Sequence, residues 1–176
     1  MAGLTVRVLS QGGLQRLAAS PFERGTFVVS VTDTDALPVR LANAPAGILR
    51  LSFDDVYPMN HPLYKGCFDG DEGEDYAAFF QTLKLMSEEQ AEQVARFVTR
   101  NLASMRMLVC QCGFGQSRSP AIAAAVSEWL YGDSLRFFDD ERYAPNRHVY
   151  KLVLGALYSS DCGSARQRGV RGNERI

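Results

Sequence analysis

Residues 110 to 120 read CQCGFGQSRSP, and five of them, Cys112, Gly113, Gly115, Arg118 and Ser119, are of the types and spacing needed to act on a phosphate ester. The stretch follows the apolar run Met107-Leu108-Val109 and precedes a helix-forming segment. At a strand-to-helix junction, backbone N–H groups and the positive end of the helix dipole favour an anion. Gly113 and Gly115 let the chain curl so that successive amides point into one concavity, a cradle spanning Gly113, Phe114, Gly115, Gln116, Ser117 and Arg118. Arg118 adds a planar fork that holds two phosphate oxygens at once, which lysine does not match. The field that holds phosphate also favours thiolate over thiol at Cys112, where the curl begins. Five residues separate Cys112 from Arg118. One tight loop therefore sets sulfur below phosphorus and guanidinium beside the equatorial oxygens. Ser119 is near enough to donate to the sulfur when it becomes the leaving group.

The run from Cys112 to Ser119 reads C-x-x-G-x-x-R-S, and it resembles the signature of the cysteine-dependent protein phosphatases, the superfamily of tyrosine and dual-specificity phosphatases. That resemblance implies a cysteinyl-phosphate intermediate, no metal or other cofactor, and an aspartic acid from another loop that protonates the leaving oxygen. The run ILRLSFDDVYP ends a predicted strand with Asp54 and Asp55. It is similar to the segment from which smaller members supply their acid, and to the P-F-D-D stretch of the regenerating-liver phosphatases, whose second aspartate is the acid. The resemblance thus puts Asp55 first and Asp54 second. Asp69, Asp71 and Asp75, in the Pro/Gly/acid segment that lengthens the path to Cys112, are lesser candidates. The chain departs from the family at Gln111, where a histidine usually precedes the nucleophile. Gln111 still hydrogen-bonds, so the expectation is activity with an altered pH profile.

Two rival readings belong beside this one. The first is a phosphate-binding module that captures phosphorylated partners without turning them over. The second is the low-molecular-weight phosphatase or arsenate-reductase plan, which shares C-x5-R but carries the loop near its N-terminus and would need a downstream acid such as Asp139 or Asp140. The expected substrate is a phosphorylated protein or a small phosphoester. Elsewhere the structural reading wins. Cys110 is a core thiol rather than a redox partner, and Cys67 is a weaker resolving candidate still. His61 and His148 have no metal-binding spacing, and FDGDEGED lacks the calcium-loop pattern.

The elements that must position these residues are legible as alternating strands and helices. Leu4 to Leu9, Thr26 to Val31, Ile48 to Phe53 and Met107 to Cys110 are short apolar runs bounded by turn residues, and they read as buried strands. Ser10 caps a short helix reaching Ala18, and Thr32 to Asn43 reads as a turn with at most one helical turn. Ser87 and Gln90 have capping-box spacing, with Ala91, Val94, Ala95, Val98 and Leu102 recurring on one face. Ile122, Ala125, Val126, Trp129 and Leu130 mark a helix ending at Gly132, and Pro145-Asn146 opens a last helix with Val149, Leu152, Val153 and Leu157 inward. The pattern predicts an α/β fold with a central, mostly parallel sheet flanked by helices on both faces.

The chain has 176 residues, room for one domain, read as 1–160 with a flexible C-terminal tail at 161–176. A net charge of −1 exerts no global pull on nucleic acid or membrane, although the arginine-rich tail leaves a phosphate or nucleic-acid contact as a minor reading. No apolar stretch is long enough to span a bilayer and the N-terminus does not read as a signal peptide, so a cytoplasmic location is expected. Four cysteines at 67, 110, 112 and 162 are too sparse for a disulfide framework and lack zinc-site spacing.

Overall fold

The computed structural model describes residues 3–55 and 81–170, with backbone alone for 161–170. Four strands, β1 (Thr5–Ser10), β2 (Thr26–Thr32), β3 (Gly47–Ser52) and β4 (Met107–Cys112), form one sheet in the order β1-β4-β2-β3. Every pairing is parallel, with Thr5 opposite Met107, Phe27 opposite Leu108 and Phe27 opposite Gly47. All four carboxyl ends therefore lie along one edge. In open parallel sheets that edge is where ligand-binding loops collect.

The side chains of β2 and β4 alternate between two apolar clusters, as the two-residue period of a strand requires. Phe27, Val29, Val31, Leu108, Cys110 and Cys112 enter the larger cluster, whereas Val28 and Val109 join Leu14 and Val39 in the smaller. The smaller face is covered by helix α1 (Gln11–Leu17), whose N-cap Ser10 accepts from Gly13 N–H at 3.2 Å. Covering the larger face are α2 (Glu88–Asn101), α3 (Arg118–Tyr131) and α5 (Arg147–Val170), with α5 packed against both α2 and α3. Helices thus lie on both faces of a parallel sheet, the α/β architecture that the periodicity implied.

Each helix boundary has a local cause. The Ser87 capping box closes reciprocally: Gln90 N–H donates to Ser87 Oγ at 3.2 Å and Ser87 N–H to Gln90 Oε1 at 3.0 Å, worth about 1 kcal/mol. Ala91, Val94, Ala95 and Val98 of α2 are buried as the spacing required. Helix α3 ends at Gly132, whose φ of 64° is the left-handed conformation a side chain disfavours. Its first ten residues, Arg118 to Ser127, are all buried, so this alanine-rich helix has no solvent face over that length and serves as the central strut.

Residues 33–46 contain a turn, with Ala36 N–H bonded to Asp33 O at 3.0 Å, and no helical turn, within what the sequence allowed there. One detail differs from the sequence reading. A short helix α4 (Leu135–Phe138) follows Gly132, anchored by the buried Phe137; four residues are too few to show a helical period. Cys67, His61, Asp69, Asp71 and Asp75, with the rest of the 57–75 segment, lie outside the described residues, as do positions 171–176 of the arginine-rich tail. Among the described residues no helix is long and apolar enough to cross a membrane.

Candidate functional site

The loop between β4 and α3 holds the residues for which the sequence predicts chemistry, and the sequence builds it by contrast. Apolar Leu108 and Val109 carry β4 through the core, and then Gly113 to Ser117 leave the strand without regular structure before α3 begins at Arg118. Gly115 has φ of +74°, and a Cβ there would meet the Ser10 nitrogen at 2.8 Å and the Leu9 carbonyl carbon at 2.9 Å. Only glycine fits that turn. Three carbonyls of the loop are engaged by residues outside it: Gly113 O accepts from Gln11 N–H at 3.0 Å, Gln116 O from Ala144 N–H at 2.7 Å, and Ser117 O from Asn146 N–H at 3.2 Å. Among the described residues, no N–H of Gly113 to Ser117 donates to a backbone carbonyl. Carbonyls engaged outside the loop and N–H groups not committed to backbone carbonyls are the polarity that an anion nest requires.

Cys112 and Arg118, only 2% and 3% exposed, flank that loop. Cys112 Sγ lies 3.0 Å from Ser119 Oγ, both buried. Phe114, by contrast, is 64% exposed at the crest. Arg118 is oriented from three sides. Its Nη1 donates to Phe53 O at 2.7 Å and pairs with Asp33 Oδ1 at 2.7 Å, and its Nε lies 3.4 Å from Asp55 Oδ2. Nη2 faces the loop, 4.0 Å from where a Cβ on Gly113 would sit.

The two adjacent aspartates have separate surroundings. Asp55 is buried against the loop, its Oδ1 accepting from Ser117 Oγ at 2.9 Å and from Asn146 Nδ2 at 2.8 Å. Asp54 turns the other way: its Oδ1 accepts from Thr34 N–H at 2.9 Å and its Oδ2 from Lys84 N–H at 2.9 Å. Partial burial works against the Asp54 carboxylate. The two amide donors outweigh it and, with the Arg118 charge, hold its pKa below the ordinary value. Asp54 thus pins the β3 exit to its neighbours, while Asp55 is the member of the pair that meets Arg118.

Cys110 is fully buried, and burial together with the neighbouring Cys112 pushes its thiol far up. It behaves as core. Gln111 sits on the α1 face of β4, where Ser30 Oγ donates to its Oε1 at 2.6 Å. Asp140 is bound to Arg142, with Nη2 to Oδ2 at 2.6 Å, and that fork holds its carboxyl at about 2. His148 Nε2 lies 3.1 Å from Met86 O. Among the described residues no group of three or more His, Cys, Asp or Glu side chains is disposed to hold a metal ion.

Three contributors were not legible as site residues: Asp33 on Arg118, Ser30 on Gln111, and the amide of Asn146 on Asp55. Asp33 had one usable signal, its position just past the carboxyl end of a predicted parallel strand.

No family model matches the chain and no curated protein matches it. Among solved structures, the crystal structure of PTPMT1 aligns with a TM-score of 0.41 at 9% sequence identity, covering 92% of this chain and 95% of that one.

Proposed function

We propose that the chain is a cysteine phosphatase of the tyrosine or dual-specificity kind, acting on a phosphorylated protein or a small phosphoester. The observation that carries this reading is the meeting of Asp55, from the β3 exit, with Arg118 of the Cys112 loop: 3.4 Å from Nε to Oδ2, both side chains buried. A nucleophile, an anion fork and a carboxyl group from a second strand are what in-line displacement at phosphorus requires.

In the proposed reaction Cys112 thiolate attacks phosphorus and forms the S–P bond as the ester P–O bond breaks. Asp55 gives its proton to the departing oxygen. Arg118 and the loop amides hold the charge on the equatorial oxygens. Water then attacks the cysteinyl-phosphate, passing one proton to the Asp55 carboxylate as the S–P bond breaks. Phosphate leaves, and Ser119, 3.0 Å from the sulfur, donates to the returning thiolate.

Phosphate release from p-nitrophenyl phosphate tests the proposal. Cys112→Ser should abolish release, and Arg118→Ala should lower kcat/KM by roughly 10²- to 10³-fold, as loss of a principal oxyanion donor does. Undiminished release by Cys112→Ser would refute the mechanism. Phosphopeptide binding with no release by the wild type would instead assign a capture module.

A further inference from the structure

Asn146 does more than begin a helix. Its Oδ1 accepts from His148 N–H at 3.0 Å and Val149 N–H at 3.2 Å, the capping role for which asparagine is suited. Backbone N–H groups only donate, so that edge of the amide must be oxygen, and the opposite edge must be the NH2 group. That NH2 group donates to Asp55 Oδ1 at 2.8 Å. The same residue's backbone N–H bonds Ser117 O at 3.2 Å, and Ser117 Oγ donates to the same Asp55 oxygen at 2.9 Å. One residue, its side chain on Asp55 and on the start of α5 and its backbone N–H on Ser117, therefore ties these parts into a single unit.

We infer that Asn146 is the positioning residue of the proton donor, an assignment that rests on the hydrolase reading above. With two donors directed at Oδ1, that oxygen is acceptor only, and the transferable proton resides on Oδ2, the oxygen on the Arg118 side. When Asp55 passes this proton to the leaving oxygen, the carboxylate that remains is stabilised by the Ser117 and Asn146 donors. Asn146 touches no reacting atom. Its effect must therefore scale with how much the leaving group needs a proton.

The test is a series of aryl phosphates from phenyl phosphate, a poor leaving group, to dinitrophenyl phosphate, which departs without protonation. Asn146→Ser keeps a capping oxygen and removes the amide donor. It should lower kcat for phenyl phosphate about tenfold, a fraction of the full effect of general acid catalysis, and change the dinitrophenyl ester less than about twofold. Asn146→Thr, also a capping side chain without the amide donor and without a new charge beside Asp55, should show the same gradient and serves if the serine variant unfolds. Equal losses along the series would mark a structural role and overturn the assignment, as would no loss at all. If the wild type releases phosphate from no member of the series, the hydrolase reading itself fails and the assignment falls with it.

Discussion

Asp55 Oδ2 and Arg118 Nε stand 3.4 Å apart at the carboxyl edge of the sheet, although the two residues leave different strands. Parallel pairing makes this meeting possible: β3, β2 and β4 run the same way, so their exits deliver Asp55, Asp33 and the Cys112 loop to one place. A carboxyl group and a guanidinium held there by separate elements can be tested separately.

The first expectation separates the neighbouring aspartates. Asp55→Asn should lower kcat for phenyl phosphate by about 10²-fold or more, as loss of a general acid does. Asp54→Asn should leave the leaving-group dependence intact, because its oxygens are engaged with Thr34 and Lys84. Steady-state kinetics on both variants decide the matter, and a larger loss in Asp54→Asn would reverse the assignment. Full activity in Asp55→Asn with loss in Asp139→Asn or Asp140→Asn would favour the rival plan with a downstream acid.

Asp54 also makes stability depend on pH. Its folded pKa lies below the ordinary value, so its contribution is present above the unfolded value near ~3.9 and is lost as pH falls through the folded one. Urea unfolding between pH 6 and pH 2 should show the wild-type midpoint falling more steeply on acidification than that of Asp54→Asn. Parallel curves would show that the Asp54 carboxylate adds nothing to stability.

Ser119 should act late in the cycle. With its hydroxyl 3.0 Å from Cys112 Sγ, Ser119→Ala should slow breakdown of the cysteinyl-phosphate more than its formation. Rapid-quench kinetics with p-nitrophenyl phosphate should then show a burst of nitrophenol followed by a slow steady state. A fall in rate without a burst would place Ser119 elsewhere in the reaction.

At Gly115 the cost is steric. A methyl group there would press on the Leu9 and Ser10 backbone at a positive φ. Gly115→Ala should therefore destabilise the fold by at least ~1–3 kcal/mol, read as a lower thermal midpoint.

The Ser30–Gln111 pair predicts a non-additive cycle. Ser30→Ala leaves the buried Gln111 Oε1 without its donor, at a cost of roughly 1–3 kcal/mol. The double variant Ser30→Ala/Gln111→Leu should recover part of that loss, because neither partner then remains. Denaturant unfolding of the two single variants and the double one measures it. Additive losses would show that the bond contributes nothing of its own.

The sequence by itself determined what depends on near neighbours along the chain. Strand runs, the Ser87 box, the Gly132 stop and the order of groups from Cys112 to Ser119 are all set by two-residue or 3.6-residue periods and by local hydrogen bonds. The alternation of those elements also implied the parallel sheet. Tertiary structure alone decided which groups from distant segments share a site. Asp54 and Asp55 are adjacent and chemically identical, and only the packing of the β3 exit sends one to Thr34 and Lys84 and the other to Arg118. Asn146 reads locally as a helix cap and nothing more. Its second hydrogen bond exists because α5 starts beside the Cys112 loop, a proximity set by helix packing over the sheet and by no spacing along the chain.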